Sequence, residues 1–261
     1  MIRVGVFGAA GRMGRTVCEA VIADPDLELV AAVDPQHAGL DLRVAAKVDS
    51  DLHIAPGAEA LIDARAEVVV DFTVLAASRE NVAFAAEHGI HAVVGTTGFT
   101  DADLDHFGST FTRSSCFIAP NFAIGAVLMM RFAELAAPWF DTAEIIELHH
   151  DQKIDAPSGT AMLTAQRMAA ASGVWAPDPT TTEVLPGARG SKGPAGIPIH
   201  SVRLRGLYAH QEVLLGASGQ SLSIRHDTYD RTCYMPGVVL AVKHVADRPG
   251  LTVGLDTLLD L

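Results

Sequence analysis

The sequence predicts an α/β fold made of an N-terminal doubly wound parallel sheet and a second, α+β domain with a mostly antiparallel or mixed sheet. Short apolar runs alternate with helical patterns from the first residues to about residue 119, which indicates parallel strands joined by right-handed crossover helices. Over residues 197–224, β-rich runs alternate instead with turns such as Arg205-Gly206 and Ser218-Gly219, a pattern typical of hairpins. The change of pattern places a domain boundary near Ala123.

Composition limits the class of protein and the kind of ligand. Hydrophobic residues make up 49% of the 261 residues, which is enough for a sizeable core. The formal net charge of −12 argues against general nucleic-acid binding. An anionic ligand would therefore need a local cluster of positive groups, because the field of the whole chain repels it.

The apolar runs and the cysteines bear on the cellular compartment. The most apolar runs are short and are followed by charges, so no transmembrane segment is predicted. Residues 1–8 lack the basic region and the cleavage site of a signal peptide. Cys18, Cys116 and Cys233 are far apart and odd in number, which is typical of free thiols in a reducing compartment. We expect a soluble cytoplasmic protein with no membrane or nucleic-acid partner.

A glycine-rich turn follows the first predicted strand. The turn reads Gly8-Ala9-Ala10-Gly11-Arg12-Met13-Gly14, a helical pattern follows it, and a second strand over residues 28–33 ends at Asp34. Glycines permit a tight turn and close approach of the backbone to a pyrophosphate, which the helix N-terminus stabilises. This order predicts a Rossmann-like dinucleotide site, with an ordinary tight turn as the alternative. Arg12 is either a phosphate contact or a solvated residue of the first helical turn.

Asp34 bears on the choice of dinucleotide. A carboxylate at the end of the second strand accepts hydrogen bonds from the adenosine ribose and repels the 2′-phosphate of NADPH. Pro35 and Gln36 follow it, with no adjacent arginine to bind that phosphate. The sequence therefore favours NADH over NADPH and leaves dual use open.

The next predicted strands end in short polar or glycine-containing turns. Strands are expected over residues 68–73, 91–94 and 115–119, with a helix over residues 75–88 and another from about Asp101. Ligands of such sheets lie at the carboxyl ends of the strands. The turns at Thr73, Gly95-Thr96-Thr97 and Ala119-Pro120-Asn121-Phe122 are therefore candidates for one shared ligand, although each alone is explained as a plain loop. Residues 35–66 predict a variable segment with one short strand.

The C-terminal half is predicted with fewer regular signals. Residues 123–137 and 235–245 predict helices, and Pro249-Gly250 is expected to end the last regular region. Glycines at a three-residue period mark residues 186–198. This segment is too short for a collagen-like assembly. It is interpreted as a mobile surface loop or, alternatively, as an active-site or subunit-contact loop.

The most unusual stretch runs over residues 144–161, where a predicted strand passes through a polar link into a helix. Adjacent strand residues face opposite ways, so His149 and His150 are expected to serve separate tasks rather than to ligate one metal ion, and no metal site is predicted. Ser158-Gly159-Thr160 begins the helix, where orphan amides and the helix dipole favour a carboxylate. Lys153 adds positive charge, or is simply a surface lysine paired with Asp155.

These residues resemble the signature of the 4-hydroxy-tetrahydrodipicolinate (dihydrodipicolinate) reductase family. The signature is carried by Glu144-Ile145-x-Glu147-x-His149-x-x-x-Lys153-x-Asp155-x-Pro157-Ser158-Gly159-Thr160-Ala161. The glycine-rich turn, Val94-Gly95-Thr96-Thr97-Gly98 and Ala119-Pro120-Asn121-Phe122 follow the family's order. The resemblance spans essentially the whole chain.

The resemblance implies an NAD(P)H-dependent oxidoreductase of lysine and diaminopimelate biosynthesis that reduces a cyclic, unsaturated dicarboxylate with loss of water. It implies a homotetramer. It also implies two domains that close on each other. The first domain comprises residues 1–122, to which residues 235–261 return, and the second comprises residues 123–234. It implies proton donation by His149 and Lys153, and substrate binding by His150, Ser158, Gly159 and Thr160. The implied cofactor contacts are Gly8, Ala9, Ala10, Gly11, Arg12, Met13, Asp34, Gly95, Thr96, Thr97, Ala119, Pro120, Asn121 and Phe122.

Two other functions remain alternatives at the level of the sequence. One is a different two-domain dehydrogenase acting on a small carboxylate, a semialdehyde or a polyol. The other is a non-catalytic nucleotide-binding protein. The Ser158-Gly159-Thr160 turn argues against the first, and the presence of both His149 and Lys153 argues against the second.

Overall fold

A computed structural model of the chain describes residues 1–259, which form eleven strands and eight α-helices. The N-terminal elements are β1 (Ile2–Phe7), α1 (Arg12–Ala23), β2 (Leu27–Val33), α2 (Leu42–Ala46), α3 (Glu59–Asp63), β3 (Val68–Asp71), α4 (Leu75–His88), β4 (His91–Val94), α5 (Asp101–Thr110) and β5 (Ser115–Ile118). The remaining elements are α6 (Ile124–Ala136), β6 (Thr142–His149), α7 (Gly159–Ala171), β7 (Ser191–Lys192), β8 (Pro198–Arg203), β9 (Ala209–Ala217), β10 (Gln220–Thr228), α8 (Met235–His244) and β11 (Gly250–Val253).

The chain forms two compact units. Unit 1 comprises residues 1–124 and the C-terminal segment from residue 231, and unit 2 comprises residues 125–230. In the described part of the chain, no helix combines the length and the apolar character that a membrane crossing requires.

Unit 1 is built on a six-stranded sheet in the order β11-β5-β4-β3-β1-β2. Every pair of neighbours is parallel. β3 and β5 are buried along their whole length, and β4 is buried except at His91, as expected for strands covered by helices on both faces. The predicted doubly wound parallel sheet is therefore confirmed.

The C-terminal segment completes unit 1 by contacts with distant parts of the chain. A Cβ atom at Gly237 in α8 would lie 2.2 Å from the carbonyl oxygen of Phe122, so only glycine allows this approach. Lys243 of α8 bridges to Asp24 and Asp26 in the turn between α1 and β2. Helix α8 is thus fixed to the sheet domain by packing and by charge.

Two sequence predictions about unit 1 are wrong. Residues 35–66 contain the short helices α2 and α3 rather than a strand, and single bridges such as Val33–Ala55 replace ladder pairing. Asp41 starts α2 by accepting a hydrogen bond from the Arg43 amide, a local contact that favours a helix start. The regular structure also continues past Pro249, because β11 pairs with β5. That partner lies more than 100 residues earlier, where no local pattern reveals it.

Unit 2 contains a five-stranded sheet in the order β10-β9-β6-β8-β7. β6 is parallel to β8, and the other neighbours are antiparallel, which confirms the predicted mixed sheet. Burial alternates along β6. Ile145 on its buried face belongs to a core with Ala161, Ala165 and Met168 of α7. α7 therefore covers the same face of β6 that carries Glu147 and His149.

Candidate functional site

The glycine-rich turn of unit 1 lies between β1 and α1, at the carboxyl end of a parallel strand. Gly8 has a φ of +64°, and a Cβ atom at Gly14 would lie 2.0 Å from the Gly8 carbonyl oxygen. The turn is therefore closed so tightly that these two positions need glycine. Its amides and the first turn of α1 form the polar surface that a pyrophosphate requires, so the residues present fit a dinucleotide.

Asp34 is buried beside this turn. Its Oδ2 accepts a hydrogen bond from the Ala10 amide at 3.2 Å, and its Oδ1 accepts one from the Gln36 amide at 3.1 Å. The Nδ1 atom of His37 lies 3.1 Å from Oδ1. An ionised carboxylate has about four acceptor positions, so Asp34 keeps capacity for a ribose hydroxyl. Sequence reasoning missed His37, although its three-residue separation from Asp34 was a usable signal.

A second buried carboxylate organises the turn after β3. Asp71 accepts hydrogen bonds from the Thr73 amide at 2.6 Å, the Thr73 hydroxyl at 2.7 Å and the Asn81 side chain at 2.9 Å. The Thr96 hydroxyl in turn donates to the Thr73 carbonyl at 2.9 Å. Two of the predicted strand-end turns are thus joined. Asp71 was also missed, because a polar residue that ends a buried strand has no distinctive local pattern.

The third predicted turn is tied to the sheet by its backbone and its aromatic ring. The Ala119 amide donates to the Val94 carbonyl at 3.1 Å, and the Asn121 side chain accepts from the Ala123 amide at 2.9 Å. Phe122 is buried. The centroid of its ring lies 5.6 Å from that of Phe72 and 6.2 Å from that of Phe117. The Phe122 side chain therefore serves the core.

In unit 2, the polar stretch after β6 is organised by Glu147, whose side chain has no solvent exposure. The Nδ1 atom of His149 lies 2.5 Å from Glu147 Oε2. Arg203 of β8 donates from both terminal nitrogens, one to each carboxylate oxygen, at 2.8 Å. The Ser158 amide donates to Oε1 at 3.2 Å. These four donor atoms, together with the Ser201 side chain, meet at one buried carboxylate.

This arrangement keeps Glu147 ionised. Burial by itself raises the pKa of Glu147, but the hydrogen bonds from His149 and Arg203 outweigh it and lower the pKa to about 2. An ionised carboxylate can only accept hydrogen bonds. The hydrogen of the short contact therefore belongs to His149 Nδ1, and the Nε2 atom is the one left for another partner.

Arg203 also reaches the loop that carries Lys153. Its Nη2 atom donates to the Asp155 carbonyl at 2.6 Å, and the Asp155 carboxylate accepts from Lys153 Nζ at 2.8 Å through both oxygens. Sequence reasoning assigned no role to Arg203, which lies 56 residues from Glu147. The strand register brings it opposite His149, and only the sheet topology reveals that register.

The start of α7 has the geometry of a capped helix end. Ser158 accepts a hydrogen bond from the Ala161 amide at 3.2 Å, so it is the N-cap of α7. A Cβ atom at Gly159 would meet nothing within 4 Å. The amides of Gly159 and Thr160 lie in the first turn, where a helix offers no intrahelical acceptor. Space and amide donors therefore coincide at this helix end.

The two remaining predicted side chains lie along the same loop. Lys153 is largely buried, with 20% side-chain exposure, and its ammonium pairs with the more exposed Asp155. His150 leaves the strand, its amide donates to the Tyr208 carbonyl at 3.4 Å, and its ring centroid lies 6.4 Å from that of Tyr208. His149 and His150 therefore have different partners, as the alternation of strand side chains predicts.

A cavity of about 560 Å³ lies elsewhere in unit 2, at the opposite end of β6. Its lining includes Thr142, Glu144, Trp175 and Arg189. Arg189 already pairs with Glu144 and Asp178, and the lining contains none of the predicted substrate residues. Across residues 1–259, no group of three or more His, Cys, Asp or Glu side chains could hold a metal ion.

Family comparisons match the two halves of the chain separately. The model described as "Dihydrodipicolinate reductase, N-terminus" matches residues 2–122, and the one described as "Dihydrodipicolinate reductase, C-terminus" matches residues 125–259. Together they cover nearly all of the sequence.

Individual relatives agree with these matches. The 4-hydroxy-tetrahydrodipicolinate reductase of Nocardia farcinica (strain IFM 10152) is 52% identical over 267 residues, covering 100% of this chain and 99% of the relative. The enzyme of the same name from Mycobacterium sp. (strain KMS) is 50% identical over the full length of both chains. A dipicolinate-bound dihydrodipicolinate reductase from Paenisporosarcina sp. TG-14 superposes with a TM-score of 0.87 at 41% identity, covering 98% of this chain and 99% of that one.

More distant structures share the fold. The amine dehydrogenase of Mycobacterium smegmatis superposes with a TM-score of 0.69 at 16% identity, over 98% of this chain and 95% of that one. At such low identity the likeness concerns the architecture alone. The family models and the close relatives, however, establish that this chain belongs to the dihydrodipicolinate reductase family.

Proposed function

We propose that this member of the dihydrodipicolinate reductase family reduces 4-hydroxy-tetrahydrodipicolinate to tetrahydrodipicolinate, with loss of water, at the link between β6 and α7. Family membership makes the chain an NAD(P)H-dependent oxidoreductase of lysine and diaminopimelate biosynthesis. The observation that carries the site assignment is the buried Glu147, which holds His149 and Arg203 beside the start of α7. It supports a local, partly positive site in a chain whose net charge is −12.

The proposed chemistry requires a proton donor in unit 2. Loss of the 4-hydroxyl group of the substrate as water leaves a conjugated ring, to which bound reduced nicotinamide would supply a hydride. Negative charge then develops on that ring, and a positioned acid must neutralise it. His149 presents Nε2 for this purpose, because Nδ1 is engaged by Glu147. Lys153, held by Asp155, is the second donor in the proposal.

The proposed substrate seat is the first turn of α7. The amides of Gly159 and Thr160, together with the positive end of the helix dipole, favour a carboxylate. Gly159 leaves room for it, since no atom lies within 4 Å of the Cβ position. Ser158 fixes the helix start by capping, and His150 adds a further polar group for the dicarboxylate.

The proposed cofactor site comprises the strand-end turns of unit 1, with NADH preferred over NADPH. Asp34 lies beside the glycine-rich turn and keeps an acceptor position for a ribose hydroxyl. Its negative charge disfavours a 2′-phosphate. The proposed contacts are Gly8, Ala9, Ala10, Gly11, Arg12, Met13, Asp34, Gly95, Thr96, Thr97, Ala119, Pro120, Asn121 and Phe122, the last through its backbone.

A coupled assay tests this function. The substrate is generated in place, and the absorbance of NADH or NADPH is followed with the wild-type protein. We expect both dinucleotides to be consumed, with a higher kcat/KM for NADH. His149→Ala and Lys153→Ala should each lower kcat by about 100-fold or more, because a general acid contributes at least that factor.

Lys192→Ala is the matched control, because this exposed lysine of β7 belongs to unit 2 but makes no contact with the Glu147 cluster. Its turnover should equal that of the wild type. Full activity of Lys153→Ala would remove Lys153 from the mechanism. A wild-type protein that binds NADH but reduces only a semialdehyde or a polyol, or nothing at all, would overturn the substrate assignment.

The enzyme is further proposed to act in the cytoplasm as a homotetramer. The family resemblance supports a tetramer built on the sheet of unit 2. Light scattering coupled to size-exclusion chromatography should return four times the mass of one chain, and a monomeric mass would contradict the proposal.

A further inference from the structure

Glu147 and Arg203 hold the proposed proton donor without being proton donors themselves. Glu147 is fully buried on the strand face that α7 covers. A buried carboxylate is costly unless charged partners and hydrogen bonds compensate for its desolvation. Here Arg203, His149 and the Ser158 amide fill its acceptor positions. Such a complete set of partners indicates an ionised carboxylate in a single orientation.

The orientation of Glu147 determines which nitrogen of His149 carries a hydrogen. Because the carboxylate can only accept, Nδ1 must donate. A histidine whose Nδ1–H bonds a carboxylate has a fixed ring plane, presents Nε2 to its surroundings, and is stabilised when it becomes an imidazolium. Glu147 therefore leaves Nε2 as the nitrogen available for proton transfer.

Arg203 extends this control to the second proposed donor. Its guanidinium bridges both oxygens of Glu147 and also donates to the Asp155 carbonyl. Asp155 in turn holds Lys153. One planar group thus joins the strand that carries His149 to the loop that carries Lys153. A lysine at position 203 could not reproduce the fork, because its ammonium is a single point of attachment.

We propose that Glu147 and Arg203 form a positioning pair that fixes the tautomer and orientation of His149 and ties the Lys153 loop to β6. This inference rests on the proposed function for the identity of the proton donors. It assigns a role to two residues outside the proposed proton donors and carboxylate-binding groups.

Other charged groups near His149 have partners of their own. On β9, Ala209 is the register partner of His149, so the adjacent His210 points to the opposite face, where it bonds Asp227 at 2.7 Å. The titratable or charged groups on β6, β8 and β9 and in the loop of residues 150–158 are, besides His149 itself, Glu144, Glu147, His150, Asp151, Lys153, Asp155, His200, Arg203, His210 and Glu212. Of these, Glu147 is the one with a hydrogen bond to the imidazole.

The first test is made on the wild-type enzyme by ¹⁵N NMR of labelled histidine, with His149 assigned by comparison with His149→Gln. We expect neutral His149 to be the Nδ1–H tautomer. A predominant Nε2–H tautomer would overturn the proposal. This measurement needs neither turnover nor a variant at position 147, so failure of the proposed function and failure of this inference are separately visible.

The second test is Glu147→Gln, which keeps the shape of the side chain and removes its charge. The fraction of neutral His149 in the Nδ1–H tautomer should fall, because an amide at position 147 can donate to Nδ1 as well as accept from it. kcat should fall roughly 10- to 100-fold, in line with the loss of carboxylates that orient histidine ligands, while KM for the substrate changes little.

Glu144→Gln is the matched control. Glu144 stands on the same strand and is also bonded to an arginine and a histidine, but it does not contact His149. It should leave the His149 tautomer and kcat unchanged. Glu147→Asp, which keeps the charge, should return the tautomer fraction towards the wild-type value. An unchanged tautomer fraction in folded Glu147→Gln, or equal changes in Glu147→Gln and Glu144→Gln, would show that Glu147 is only structural.

Discussion

The two ends of β6 each carry a glutamate bonded to an arginine and a histidine, but in different surroundings. Near its start, Glu144 bonds Arg189 at 2.5 Å and His200 at 2.8 Å. Near its end, Glu147 bonds Arg203 and His149. The two glutamates are three residues apart, so they lie on opposite faces of the strand. A carboxylate, a guanidinium and an imidazole meet in each case.

Burial separates the two clusters. The Glu147 side chain has 0% exposure and that of Glu144 has 31%. For both, burial raises the pKa and the hydrogen bonds lower it further than burial raises it, to about 2 in the case of Glu147. Glu147 also accepts a hydrogen bond from the start of α7, whereas Glu144 is bonded to Arg189 in the segment of residues 186–198. The same residue types therefore support the proposed site at one end of the strand and a partly exposed contact at the other.

The largest contrast is expected when the arginine of each pair is removed. Arg203→Met leaves the Glu147 charge buried without its main partner, which should cost about 3–5 kcal/mol of unfolding free energy. Arg189→Met should cost about 1 kcal/mol or less, as for exposed ion pairs. Urea unfolding followed by tryptophan fluorescence measures this, because Trp139 and Trp175 both lie in unit 2. Equal losses would show that burial does not distinguish the clusters.

Acid should affect the Glu147 cluster more than the Glu144 cluster. The pKa of Glu147 is lowered from 4.5 to about 2. The stability that the ionised carboxylate gives the folded protein is therefore complete above about pH 4.5 and is lost as the pH falls towards 2. The loss amounts to at most about 3 kcal/mol. Urea unfolding measured between these pH values should show a weaker pH dependence for Glu147→Gln than for Glu144→Gln. The reverse order would contradict the assignment of the lowered pKa to the buried cluster.

A smaller effect is expected from a methyl group at the start of α7. Gly159→Ala and Gly173→Ala, at the two ends of α7, each place a Cβ atom where nothing lies within 4 Å. Both should alter unfolding free energy by no more than about 1 kcal/mol. Only Gly159→Ala should raise KM for the substrate, several-fold and with little change in kcat, because its methyl group occupies the proposed carboxylate seat. An unchanged KM would move that seat elsewhere.

Much of the fold was predictable because its signals are local. The buried strands β1, β3, β4 and β5 are short apolar runs bounded by turns, and α4 begins and ends where its pattern predicts. β11 escaped prediction because four residues after Pro249 have little pattern of their own and form a strand only beside β5. The strand predicted within residues 35–66 was wrong because Asp41 starts a helix within a stretch of scattered charges.

The candidate site divides in the same way. Sequence alone determined the family, the class of reaction, the glycine-rich turn and the motif from Glu144 to Ala161, because these depend on residue types at short, fixed spacings. The tertiary structure decided that Glu147, rather than a neighbour, is the centre of the motif and that Arg203 is its partner. It also decided that His37 is a partner of Asp34 beside the glycine-rich turn. Strand register and burial set those contacts. For Arg203, both depend on residues far apart in the chain, so no local pattern encodes them.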